Sequence, residues 1–111
     1  MKLETAKQLK ELGWDKETEN VYRPHPVLKE MQLRNRHVIH NETLTEFYPC
    51  PSLEDLLAVM PKLVHGTAFK LIRYEDFWCA YYGGTTLFAQ HPDPTEAVAM
   101  LWIKLKKEGI V

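Results

Sequence analysis

His37 and His40 are the first residues whose type and spacing could do chemistry. On a helix, residues three apart share a face and could hold a metal ion together. On a strand, an odd offset puts them on opposite faces. Val38-Ile39 between them favours the strand, and no Cys-x-x-Cys or His-Glu-x-x-His spacing completes a zinc site. No metal is therefore expected. Cys50 and Cys79 are the second pair. A nucleophilic thiol needs a neighbouring base and an accessible, electropositive setting. Cys79, between Trp78 and Ala80, reads as a buried, inert thiol in an apolar strand. Cys50, between Pro49 and Pro51, reads as a loop residue open to solvent, but no cysteine-enzyme signature surrounds it.

Gly83-Gly84 lacks the spacing of a phosphate loop, and a hairpin turn explains it. Tyr74, Phe77, Trp78, Tyr81, Tyr82 and Phe88 are of the types that stack on bases in single-strand nucleic-acid binders. They are equally the types that build a core. Only Lys70 and Arg73 interleave with them, too little positive charge to favour nucleic acid. The set thus holds no acid–base pair and no cofactor loop. No catalytic residue is expected, and Cys50 and the histidines are the only raw material for an enzyme.

The elements that must position these residues follow from local signals. Leu3, Ala6, Leu9 and Leu12 make one helical stripe, with Gly13 as its stop. Pro24 and Pro26 exclude a regular helix in the stretch that follows. Val21-Tyr22, residues 37–40 and residues 44–48 have strand content, and Val27 to Leu33 is open to strand or a turn or two of helix. Ser52 is a good N-cap for a helix over 52–60, striped by Leu53, Leu56, Leu57 and Met60 and stopped by Pro61. Residues 67–74, 77–82 and 85–90 read as an antiparallel meander, turned at Glu75-Asp76 and at a two-residue Gly83-Gly84 hairpin. Asp93, Pro94 and Glu96 are N-cap, N1 and N3 of a last helix over 94–108, with Lys104, Lys106 and Lys107 at its cationic end and Gly109 beyond.

These elements define an α+β fold: a small antiparallel sheet about residues 67–90, extended in one version by strands from 20–48, packed against two or three helices. The expected core includes Leu56, Leu57, Phe69, Leu71, Ala97, Leu101 and Leu105. The 111 residues match the commonest size of one domain, so 1–111 is read as one. A hydrophobic fraction of 45% and a charged fraction of 26% exclude a disordered chain. The net charge of −1 excludes bulk attraction to polyanions. It is unevenly spread: residues 1–36 carry +2 and residues 37–66 carry −3. No apolar run has the length of a signal peptide or a membrane span, which with the two cysteines points to the cytoplasm.

The order of pieces resembles a group of small accessory proteins of phages, prophages and mobile elements. The likeness runs through LKELGW (Leu9 to Trp14), YPCPSLEDLLAVMP (Tyr48 to Pro61) and PTEAVAMLWIKLKKEG (Pro94 to Gly109). The group carries no known activity, so the resemblance implies an accessory role in a bacterial cytoplasm and no catalytic residue or cofactor.

The expectation for function is a non-enzymatic protein-interaction module, with single-stranded nucleic-acid binding as the alternative. The middle strand has bulky residues on both faces, so one face is expected to need a cover. Trp78 and Tyr82, joined by Phe88, are the expected interface. A symmetric dimer would bury them; residues 15–47 folded over the same face would leave a monomer.

Overall fold

A computed structural model describes residues 1–16, 18, 20–24, 31–35 and 48–111, and of residues 20, 23, 24 and 31–35 it describes the backbone alone. The fold is α+β, in two compact units, residues 1–52 and 53–111.

The first unit opens with helix α1 (Leu3–Glu11), which buries Ala6 and Leu9 as the stripe predicts. Its stop is a Schellman motif. Gly13 takes φ +91°, its N–H reaches the Lys10 carbonyl at 3.1 Å, and the Trp14 N–H reaches that of Leu9 at 2.9 Å. Strands β1 (Asn20–Pro24), β2 (Met31–Asn35) and β3 (Tyr48–Cys50) form a separate antiparallel sheet in the order β2-β1-β3. They therefore pair with one another and do not lengthen the meander. Residues 31–33 are strand, which settles that part of the 27–33 segment. Helix α1 packs on β3, with the Lys7 and Lys10 ammonium groups 5.6 and 5.1 Å from the Tyr48 ring centre. The Tyr22 hydroxyl donates to the Met1 carbonyl.

Cys50 corrects an expectation. It is buried, because β3 pairs it with Asn20 of β1 and its N–H donates to the Thr18 hydroxyl at 3.4 Å. The strand content at 37–40 and 44–47, with His37 and His40, lies outside the described residues.

The second unit holds α2 (Leu53–Val59), a four-stranded antiparallel sheet and α3 (Pro94–Lys107). The strands are β4 (Leu63–Val64), β5 (Thr67–Arg73), β6 (Trp78–Tyr82) and β7 (Phe88–His91), in sheet order β4-β5-β6-β7. His65 and Gly66 turn β4 into β5 with φ of 51° and 80°, the two positive angles of a primed hairpin turn. Tyr74 donates its N–H to the Phe77 carbonyl at 2.8 Å across the Glu75-Asp76 turn. The last connection differs from the two-residue turn expected. Tyr82 N–H bonds the Leu87 carbonyl at 3.1 Å, so Gly83, Gly84, Thr85 and Thr86 all lie in the loop. Only Gly84 of the pair has positive φ, and the Thr85 hydroxyl closes the loop by donating to the Tyr82 carbonyl and accepting from the Leu87 N–H.

Helix α3 starts as the sequence predicts: Asp93 is the N-cap, its carboxylate accepts the Thr95 N–H at 2.9 Å, and Pro94 stands first. It packs on β6, β7 and α2. Ala97, Val98, Leu101 and Leu105 are fully buried with Leu56 and Ala80, and Tyr82 joins them at 1% exposure. Three members of the expected core differ. Leu57 is 41% exposed. On a helix of 100° per residue, Leu53, Leu56 and Met60 span a 60° arc and Leu57 stands 40° outside it. Phe69 and Leu71 are half-buried, because α3 lies over β6 and β7 and reaches less far across β5.

Candidate interaction surface

The pairing register sorts the sheet's side chains into two faces. Tyr74 lies opposite Phe77, Ile72 opposite Cys79 and Lys70 opposite Tyr81, while Tyr81 also lies opposite Phe88 and Cys79 opposite Gln90. Directly opposed residues share a face, and alternation carries that face along each strand. One face therefore bears Lys70, Ile72, Tyr74, Phe77, Cys79, Tyr81, Phe88 and Gln90. The other bears Phe69, Leu71 and Arg73 with Trp78, Ala80 and Tyr82 and with Ala89 and His91.

Helix α3 covers the second face. Ala80, Tyr82 and Ala89 are buried there, and the Arg73 guanidinium sits 6.0 Å from the half-buried Trp78 ring. The Tyr82 ring meets Phe69 at 5.7 Å, and its hydroxyl donates to the Pro61 carbonyl at 2.6 Å, tying the end of α2 to the sheet. Burial disfavours the charged phenolate and raises the Tyr82 pKa above the usual tyrosine value. Tyr82 is thus a core residue.

The first face stays open. Ile72 is 38% exposed, Tyr74 48% and Phe88 44%. Tyr74 and Phe77 stack at 5.1 Å at one end of the face, and Tyr81 lies opposite Phe88 at the other. Tyr74, Cys79, Tyr81, Phe88 and Gln90 line a shallow depression of about 320 Å³. Lys104 reaches round from α3 to the β7 edge, where its ammonium donates to the Phe88 carbonyl at 2.8 Å and lies 4.8 Å from the ring centre. That carbonyl points away from β6, because Tyr82 and Leu87 form a hydrogen-bonded pair and the next pair of an antiparallel ladder, Tyr81 with Phe88, turns its backbone groups outward. A lysine held there blunts strand addition at the edge.

The three residues expected to share one interface are divided by this register. Tyr82 is in the core, Trp78 is half-buried on the helix side, and Phe88 stands on the opposite face with Tyr81. The residues that stand with Phe88 are Ile72, which no sequence feature singles out, and Tyr74 and Tyr81, which the sequence offers only as base-stacking candidates. Parity would have found them: a hairpin loop of even length, two residues or four, always pairs an even-numbered residue with an odd one.

The face offers aromatic and aliphatic contact. Among the described residues no group of three or more His, Cys, Asp and Glu side chains could hold a metal ion. No described helix is long and apolar enough to cross a membrane. Comparison with protein-family models, with curated proteins and with solved structures found no match.

Proposed function

We propose that this chain is a non-enzymatic protein-interaction module whose docking surface is the open face of the second sheet. One observation supports the reading above the others: Ile72, Tyr74 and Phe88, all large and apolar, are exposed together on a face that the chain's own helix does not cover. Aromatic side chains presented this way carry much of the energy of protein interfaces. The resemblance to phage and mobile-element accessory proteins fits such a role, in the cytoplasm and without a cofactor.

Single-stranded nucleic acid is the second reading, favoured by the rings of Tyr74, Phe77, Tyr81 and Phe88 on one sheet face beside Lys70. Against it stand Glu75 and Asp76 at one end of that face and the net charge of −1. Selection from a displayed random-peptide library decides the first reading. Peptides enriched on the wild type should lose binding to Tyr74→Ser and Phe88→Ser; equal binding to both variants removes the face as the docking surface. Titration with labelled oligo-dT and oligo-U decides the second. Micromolar binding that falls steeply with salt, and is lost in the same variants, would replace the protein reading with the nucleic-acid one.

A further inference from the structure

The charges around the open face are segregated by end. Lys70 sits on the face beside Tyr81, and the Lys104 ammonium lies at the same end of the strands, against Phe88. Glu75 and Asp76, both exposed, form the turn at the other end, beyond Tyr74 and Phe77. Five residues of extended chain separate Lys70 from Glu75, about 16 Å. The face is therefore basic at one end, acidic at the other and apolar between, a pattern complementary to itself when turned end for end.

We infer that the occupant of this face is a second copy of the chain, packed face to face about a two-fold axis that crosses the strands. The inference rests on the reading of this face as a docking surface and names its partner. Two in-plane axes can bring identical faces together. An axis parallel to the strands sets basic end on basic end and acidic end on acidic end. An axis across the strands, through the row of Ile72, Cys79 and Gln90, reverses the second copy. Lys70 of each chain then meets Glu75 and Asp76 of the other, and the Tyr81 rings meet those of Phe77. Charge selects the second axis, since like charges in contact cost affinity and opposite ones fix register. Such an interface is isologous, the commonest symmetry of small oligomers. Cys79, small and buried, lies on this axis and meets its own copy, so nothing bulky holds the two sheets apart at the centre of the face. Strand β4 adds Leu63, 64% exposed and paired with Ala68, to the same face. Even so, four strands at about 4.8 Å spacing give a face smaller than that of a standard interface, so a weak, concentration-dependent association is expected.

Sedimentation equilibrium of the full chain across micromolar concentrations tests this. The expected result is a monomer–dimer equilibrium rising from 13.0 kDa toward twice that mass. Lys70→Glu alone and Glu75→Lys alone should each weaken the dimer about tenfold, because each breaks two symmetry-related contacts. The double variant Lys70→Glu, Glu75→Lys should recover to within about threefold of wild type. A mass fixed at 13.0 kDa at every concentration overturns the inference. So does a dimer in which the charge swap fails to rescue. The underlying reading fails separately. A monomer whose selected peptides still depend on Tyr74 and Phe88 loses only the second copy. A dimer unchanged by Tyr74→Ser with Phe88→Ser loses the face as well.

Discussion

Leu101 has no exposed surface, and it lies on the helix that packs on β6, β7 and α2 at once. Truncation removes buried methyl groups and leaves a cavity in the packed interior. Leu101→Ala is expected to cost about 2–5 kcal/mol, read as a shift of the urea midpoint at constant slope. A shift worth less than about 0.5 kcal/mol is the scale of a surface change and would remove Leu101 from the core. Tyr82 adds a pH dependence. Its proton is held more firmly in the folded chain than in the unfolded one, because burial raises the pKa. The sign follows: the folded state binds more protons at alkaline pH, so Tyr82's contribution is intact below about pH 10 and is lost as pH rises above it. Tyr82→Phe should cost about 0.5–1.5 kcal/mol at neutral pH through the lost bond to Pro61. It should also show a shallower alkaline fall in stability than wild type. Urea midpoints at neutral and alkaline pH measure both, and parallel curves would show that Tyr82 is not the group titrating.

Helix α3 begins where one side chain satisfies it: the Asp93 carboxylate takes the Thr95 N–H, which has no carbonyl partner within the helix. Asp93→Ala should lower stability by about 0.5–2 kcal/mol and Asp93→Ser by far less, measured by thermal melting. Equal losses would mean that the cap bond is not what the aspartate contributes. The same locality explains which elements were legible. Caps and stops act over three or four residues, so Gly13, Ser52, Pro61, Asp93 and Gly109 marked the three helices to within a residue or two. Gly109 even ends α3 as Gly13 ends α1, with the Ile110 N–H on the Leu105 carbonyl at 2.9 Å. The meander was legible from its turns and alternation. Its faces were read less well: Phe88 was grouped with Trp78 and Tyr82 by side-chain type, whereas pairing parity, the same for a loop of two residues or four, puts it opposite Tyr81. Cys50 was misread because prolines on both sides suggest a loop, whereas an extended Pro-Cys-Pro segment is also compatible with a short paired strand. The burial of Leu57 turned on a helix-face angle that a leucine-rich heptad obscures.

The molecule's two compact units differ in how much they ask of the rest of the chain. Residues 53–111 contain both helices and all four strands of their own sheet, and the buried residues Leu56, Tyr82, Val98, Leu101 and Leu105 all come from within this stretch. A unit near 60 residues buries about 60% of the surface its unfolded chain exposes, which is marginal yet sufficient for many small domains. Three features raise its standing. Its helices are capped or stopped by local sequence, its strand connections are short hairpins, and every sheet contact joins neighbours in the chain. Contacts of that kind carry little loop-closure cost and fold quickly. Residues 53–111 made alone are therefore expected to unfold in one cooperative transition, followed by urea titration with tryptophan fluorescence from Trp78 and Trp102. Near-ultraviolet circular dichroism should keep a fixed aromatic signal, since Tyr82 is held against the Phe69 ring and the Pro61 carbonyl, both within the unit. A gradual, featureless titration with no near-ultraviolet signal would show that residues 1–52 supply part of its stability.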